Sequence, residues 1–271
     1  MHKENEIFWS ANFQDTETQL FNTRPDHPYL DGDDVDYEMQ FGKRSDKLKL
    51  RHITQKGLEH FVHGYGKTYR ILYLDNCTKI QDFSPLGDLP QLEALAIDWC
   101  KCSALWDMSR NANLKILSIM NSKKLAWEPK LLETATTLEE IRFWGPLSGG
   151  TYSMASLEYF RDMTSLRRID LNWIKCVDKS FDFLRTLPNL EEFHFDPGML
   201  TTEEIAQIVA WYPNLYGQCL GPYDDTYMHL GEVRICGTRK PTLQLPKQQA
   251  RLDEYIQHFH SLVEQYRSTQ A

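Results

Sequence analysis

The sequence predicts an α/β chain folded as an open solenoid, in which short parallel strands from successive repeats build one sheet. Three observations lead there. A nine-residue pattern with apolar residues at its first, fourth and sixth positions occurs six times: YRILYLDNC (69–77), LEALAIDWC (92–100), LKILSIMNS (114–122), LEEIRFWGP (138–146), LRRIDLNWI (166–174) and LEEFHFDPG (190–198). Their starts are separated by 23, 22, 24, 28 and 24 residues, a period that marks a repeat architecture. Several intervening segments carry helical spacing. One such repeat cannot bury its own apolar side, but a stacked neighbour covers it, so the core exists only through stacking.

Along the chain, residues 1–46 are aromatic and acidic. Phe8, Trp9, Phe13, Phe21 and Tyr29 are expected to pack on the first repeat as an N-terminal cap. DGDDVD (31–36) lacks the spacing and closing glutamate of a calcium loop and reads as a solvated acidic loop. KLKLRHI (47–53) reads as a strand, and ITQKGLEHFVHGYG (53–66) as a helix. Before residue 92, Leu86 and Leu89 need only a brief helical turn. Over 153–169, Ser153 is a candidate helix cap, and Leu157, Phe160 and Met163 recur at helical spacing. The segment 180–193 repeats that design.

Segment 200–215 gives the clearest helix. Thr201 or Thr202 caps it, Glu204 falls early, Ile205, Ile208 and Val209 form the buried stripe, and Pro213 stops it. Leu215, Gln218 and Leu220 form a degraded strand motif, and GEVRICG (231–237) reads as a last strand. After 237–247, Leu252, Ile256, Phe259, Leu262 and Val263 mark an amphipathic helix. It is expected to cover the open end of the last repeat, with docking on a partner as the alternative. The expected organisation is a capping segment (1–46), a repeat domain (47–236) and a C-terminal segment with its capping helix (237–271), with seven to nine parallel strands.

The motif resembles the core of the leucine-rich repeat family, LxxLxLxxN or LxxLxLxxC, in its short bacterial to mixed repeat classes. The resemblance covers roughly residues 48–236. It implies an open right-handed solenoid with the parallel sheet on the concave face, helices or irregular segments on the convex face, and a role in binding. The ninth positions are Cys77, Cys100, Ser122, Pro146, Ile174 and Gly198. The first three can hydrogen-bond locally and the last three cannot through a side chain. The inner ladder is therefore expected to become irregular after the third strand.

Between the inward residues, the fifth, seventh and eighth positions are expected to face outward. They hold Tyr73, Asp75, Asp98, Trp99, Arg142, Trp144, Asp170, Trp173, His194 and Asp196. Tryptophan and tyrosine beside charged groups are the ingredients of a protein interface. Asp75, Asp98, Asp170 and Asp196 would add a negative lining suited to a basic or polar partner. The expected function is therefore a noncatalytic intracellular scaffold that binds a protein or peptide on its concave face. Alternatives are tryptophans folded onto loops without a ligand, a structural subunit of a larger assembly, or a hydrolase-like enzyme using Asp170 and His194. A triad would need a nucleophile, and Ser118 lies two strands from Asp170 in this register. GPLSGGTY (145–152) lacks the phosphate-loop pattern and reads as a bulging loop.

The formal charge of -8 and pI near 5.6 weigh against a nucleic-acid partner. No run of eighteen apolar residues predicts a membrane span, and the first residues lack an apolar signal core, so the expected location is cytoplasmic. The six cysteines are irregularly spaced, and Cys100 and Cys102 form CKC rather than CxxC. They are expected to be reduced, with Cys77 near Cys100. Neither a metal nor a cofactor is expected.

Overall fold

The computed structural model describes residues 29–33, 35, 46–122, 129–145, 152–178 and 180–270. Phe8, Trp9, Phe13 and Phe21 of the expected cap, Asp34 and Asp36 of the acidic stretch, and 146–151 of the expected bulging loop lie outside the described residues. The chain divides into two compact units, 1–137 and 138–271.

In the first unit, β1 (Tyr29–Asp31), β2 (Lys47–Arg51), β3 (Ile71–Asp75), β4 (Ala94–Asp98) and β5 (Ile116–Met120) pair in that order, all parallel. The register aligns the sequence motifs position for position. Leu72 pairs with Leu95 and Leu95 with Leu117; Leu74, Ile97 and Ile119 form the next rung. All six are at most 1% exposed. Burying a side chain of this size contributes about 1.5–3 kcal/mol, so the repeated fourth and sixth positions are the main source of cohesion.

Each of these repeats turns at the eighth position with a left-handed residue: His52, Asn76, Trp99 and Asn121 have φ between 49° and 54°. The ninth position then satisfies the turn. The Cys77 thiol donates to the Leu50 carbonyl at 3.3 Å, and the Ser122 hydroxyl donates to the Met120 carbonyl at 2.8 Å. Cys77 and Cys100 are buried side by side, and their contact, together with burial, pushes the Cys100 thiol pKa well up.

Helix α1 (Gln55–Gly64) buries Leu58, Phe61 and Val62 and is capped by Thr54. Asp33 accepts from the Thr54 N–H (2.8 Å) and hydroxyl (2.7 Å), while Asp31 bonds His52 at 2.9 Å. The stretch expected to be a solvated acidic loop therefore ties β1 to the first helix. A Cβ on Gly57 would collide with Asp33 and Ile53, so glycine permits that approach. Later connections are single 3₁₀ turns, Ser84–Asp88 and Met108–Arg110, followed by α2 (Pro129–Glu133). Fully buried Asn111 links the first two, donating to the Leu86 and Leu89 carbonyls and accepting from the Trp106 indole.

In the second unit, β6 (Glu140–Trp144), β8 (Arg168–Asn172) and β10 (Glu192–Phe195) are parallel, with Ile141, Ile169 and Phe193 in register. Here Ile174 replaces a polar ninth residue, and the chain runs straight into another strand. β7 (Tyr152–Ser156) and β9 (Ile174–Asp178) make a separate two-stranded parallel ladder. Ser153, expected to cap a helix, lies inside β7. Tyr152 and Met154 are buried at period two, and strand alternation overrides the weak helical spacing. Ser156 does the capping, for a 3₁₀ turn at Leu157–Phe160. Segment 180–193 likewise forms only a 3₁₀ turn, Asp182–Thr186. Phe143, Phe160, Phe183 and Phe193 stack through the core with successive centroids 6.0–6.3 Å apart.

Helix α3 (Thr202–Trp211) starts with a reciprocal capping box between Thr201 and Glu204 and buries Ile205, Ala206 and Ile208, with Val209 half-buried. The degraded motif that follows retains one parallel bridge, Tyr216 to Glu192. The expected last strand of the stack is instead β12 (Glu232–Ile235), the middle of an antiparallel sheet with β11 (Tyr223–Asp224) and β13 (Thr242–Gln244). Its connections are too short for the crossover that parallel pairing requires. Helix α4 (Gln249–Gln270) lays Leu252, Tyr255 and Ile256 on Val233, Ile235 and Leu243 and packs along α3. Among the described residues, no helix is long and apolar enough to cross a membrane.

Candidate functional site

Strand-face columns meet at the neighbour spacing of a sheet, about 4.8 Å, which is narrower than a tyrosine or arginine side chain is long. Large residues in register therefore cover one another. In the first unit, Tyr73 is 1% exposed; its hydroxyl donates to Asp98 at 3.2 Å, and the Lys49 ammonium lies 4.7 Å over its ring. Asp75 pairs with both Lys49 and Arg51 at 3.1 Å. Asp98, also buried, accepts from the Asn121 amide at 2.8 Å. Trp99 differs. It follows the strand in the left-handed turn and is 40% exposed.

The second unit repeats the contrast. Arg142 and Asp170 are buried and paired, with a 3.4 Å contact. Desolvation lowers the Arg142 pKa to about 10, against the opposing pull of Asp170. The Arg142 guanidinium lies 4.8 Å over Trp144, whose indole N–H donates to Asp170 at 3.0 Å; the Asn172 amide donates to the same carboxylate at 2.6 Å. Trp144 is half-buried and meets Trp173 edge to face, centroids 6.1 Å apart. Trp173 has φ 54° and is 40% exposed. Its backbone N–H donates to Asp196, whose pKa burial raises.

Two expectations need correction. The fifth-position residues do not present an open surface, because Tyr73, Arg142 and Asp170 are buried among their neighbours. Nor do the four aspartates form a free negative lining: Asp75 and Asp170 are neutralised by cations, Asp98 is buried in hydrogen bonds, and Asp196 holds the Trp173 turn. The alternative catalytic pair also fails to assemble. His194 is in register with Asp170, yet its Nε2 bonds Glu192 at 2.8 Å and its Nδ1 accepts from the Gln218 N–H at 3.4 Å. Ser118 is buried, and its hydroxyl has no hydrogen-bond partner among the described residues. Among the described residues, no cluster of His, Cys, Asp and Glu could hold a metal ion.

Sequence reasoning overlooked the third-position column, Glu140, Arg168 and Glu192, which the register brings together. Its alternating charges were a readable signal. It also overlooked Val177, Tyr216, Met228 and Leu230, which are exposed and carry no periodic mark.

Each unit thus combines repeating parallel strands with turns or helices between them, in an open sheet. In fold, this arrangement resembles that of leucine-rich-repeat proteins. No protein-family model and no curated protein matches it, but solved structures do. Internalin C2 of Listeria monocytogenes is 17% identical over 56% of this chain and 62% of that one, with a TM-score of 0.44. Internalin inlF of the same organism is 17% identical over 64% and 46%, with a TM-score of 0.45. TLR13, in a complex with ssRNA13, is 15% identical over 63% and 27%, with a TM-score of 0.42. This chain covers less than two thirds of the length of each. Likeness at this level carries no argument about what the chain binds.

Proposed function

We propose that the chain is a noncatalytic cytoplasmic module that binds another protein or a peptide through tryptophans at the ends of its strands, Trp99 in the first unit and Trp173 in the second. The strands would line the concave side of a right-handed solenoid. One observation carries the reading. Trp99 and Trp173 occupy the left-handed eighth position, which His52, Asn76 and Asn121 fill in other repeats. Asparagine tolerates that backbone, while a bulky residue there is strained by about 1–2 kcal/mol. The turn alone gives no reason for an indole, and exposing it costs apolar hydration as well. Strain retained with exposure points to a role in contact. With each aspartate engaged by a cation or by hydrogen-bond donors, aromatic contact rather than negative charge would select the partner. The irregular cysteine usage fits a reducing compartment.

A structural subunit is the second reading, favoured by the exposed turn at Tyr227, Met228 and Leu230, which are 39%, 41% and 65% exposed. Affinity capture from native lysate with Trp99→Ala, Trp173→Ala and Leu230→Ala variants, their folding checked by circular dichroism, separates the two. A partner lost with either tryptophan and retained with Leu230→Ala supports the proposal. Purified, that partner should then bind the tryptophan variants about 2 kcal/mol or more weakly. Unchanged binding to both tryptophan variants rejects it, and loss with Leu230→Ala alone selects the subunit.

A further inference from the structure

A recess of about 340 Å³ opens in the second unit, away from the tryptophans at the strand ends, between the Asp182–Thr186 turn and the end of α3. Leu184, Leu187 and Leu215 supply apolar wall, Trp211 and Tyr212 supply aromatic wall, and Arg185 is the one formally charged residue lining it. We propose that this recess binds a small apolar molecule bearing a single carboxylate.

Volume and lining fit the usual small-ligand site, a mostly apolar cavity of about 300–1,000 Å³ with few polar groups. The arginine decides the ligand's charge. Its guanidinium lies 5.1 Å over the Trp211 ring and engages the Tyr212 hydroxyl, which fixes the plane; a guanidinium has five N–H donors, so others remain for a carboxylate. Neighbouring arginines are already committed: Arg161 to Glu158, Arg167 to Glu191 and Arg168 to Glu192. Arg185 makes no ion pair among the described residues, although Asp182 is close enough to act on Tyr212. A cation on an apolar recess, without a carboxylate of its own, complements a ligand that is oily over most of its surface and anionic at one end. The volume lies at the low end of the range, which selects a small molecule over a peptide segment.

Arg185 also lies beside the C-terminal end of α3, where a cation offsets the helix dipole. That role affects stability, not ligand charge preference, so binding separates the two. Calorimetric titration of the full chain with octanoate, and with octanamide as the neutral isostere, reads the preference directly. Octanoate is expected to bind at least tenfold more tightly than octanamide. Arg185→Gln, at an exposed position and checked by circular dichroism, should bring octanoate down to the amide's level. Leu215→Trp should fill the recess and abolish binding with the fold retained. Equal affinity for acid and amide, unchanged binding by either variant, or no binding of octanoate would overturn the proposal. So would an acidic–apolar tetrapeptide that binds more tightly than octanoate.

Discussion

Glu140 stands beside Arg168 on the strand face, yet Arg168 pairs with Glu192 at 3.2 Å, and the Glu140 Oε2 is buried without a hydrogen-bond partner among the described residues. Desolvation raises its pKa to about 8, Glu192 adds to the rise, and Arg168, Arg142 and Arg167 oppose it. The folded protein therefore holds this proton where the unfolded chain releases it. Below the ordinary glutamate range near 4.5 the stabilisation is fully present; it is lost as pH rises toward about 8. Urea unfolding across that window should show the wild type losing on the order of 2–4 kcal/mol relative to Glu140→Gln. Parallel pH profiles for the two proteins would contradict the assignment. The same scale explains why Asp170 and His194 are poor catalytic partners: register brings their backbones together, but Arg142, Trp144 and Asn172 already hold the carboxylate.

At the scale of elements, α4 is a built part of the second unit. Leu252, Phe259 and Val263 are at most 5% exposed, while Ile256 is only half-buried. Leu252→Ala and Phe259→Ala should each cost about 2–5 kcal/mol, and Ile256→Ala less, read from denaturant midpoints. Ending the chain after residue 247 should expose Val233, Ile235 and Leu243 and lower the melting temperature; an unchanged melting temperature would mean a detached helix. The 3₁₀ turns of the repeats have an equally physical cause. The 23- and 22-residue intervals from β3 to β4 and from β4 to β5 hold single 3₁₀ turns, whereas the 24 residues from β2 to β3 carry the stripe Leu58, Phe61 and Val62, whose burial repays the nucleation of a ten-residue helix. The 28-residue interval has room to spare, and β7 occupies part of it.

For the whole molecule, stacking makes each repeat's stability depend on its neighbours. In the first unit, β3 and β4 are each flanked by parallel strands on both sides, while β1, among the described residues, pairs with β2 only, over three residues. Amide exchange should therefore be slowest at Leu72, Leu74, Leu95 and Ile97 and much faster at Leu30. Uniform protection from β1 to β4 would show that the stack unfolds as one piece rather than from its end.

The sequence by itself determined the repeat and its register. Apolar side chains at the fourth and sixth positions can be buried only if like stacks on like, so their spacing alone set Leu72 against Leu95 and Ile141 against Ile169. It also determined the capping box of α3 and the short bonds from Cys77 to Asp75, Cys100 to Asp98 and Ser122 to Met120, since those are local; the Cys77 bond to Leu50 needed the neighbouring repeat. Tertiary structure decided the rest. Whether Tyr73 or Arg142 is open depends on neighbours more than twenty residues away, which close over it. Whether Ile174 ends a turn or starts β9 depends on β7 being there to pair with it. Asp33, written within a run of acids, became the support of α1 because a glycine elsewhere in the chain let it approach. Trp99 and Trp173 were legible as outward-facing candidates, but only the backbone showed that each sits where an indole is strained.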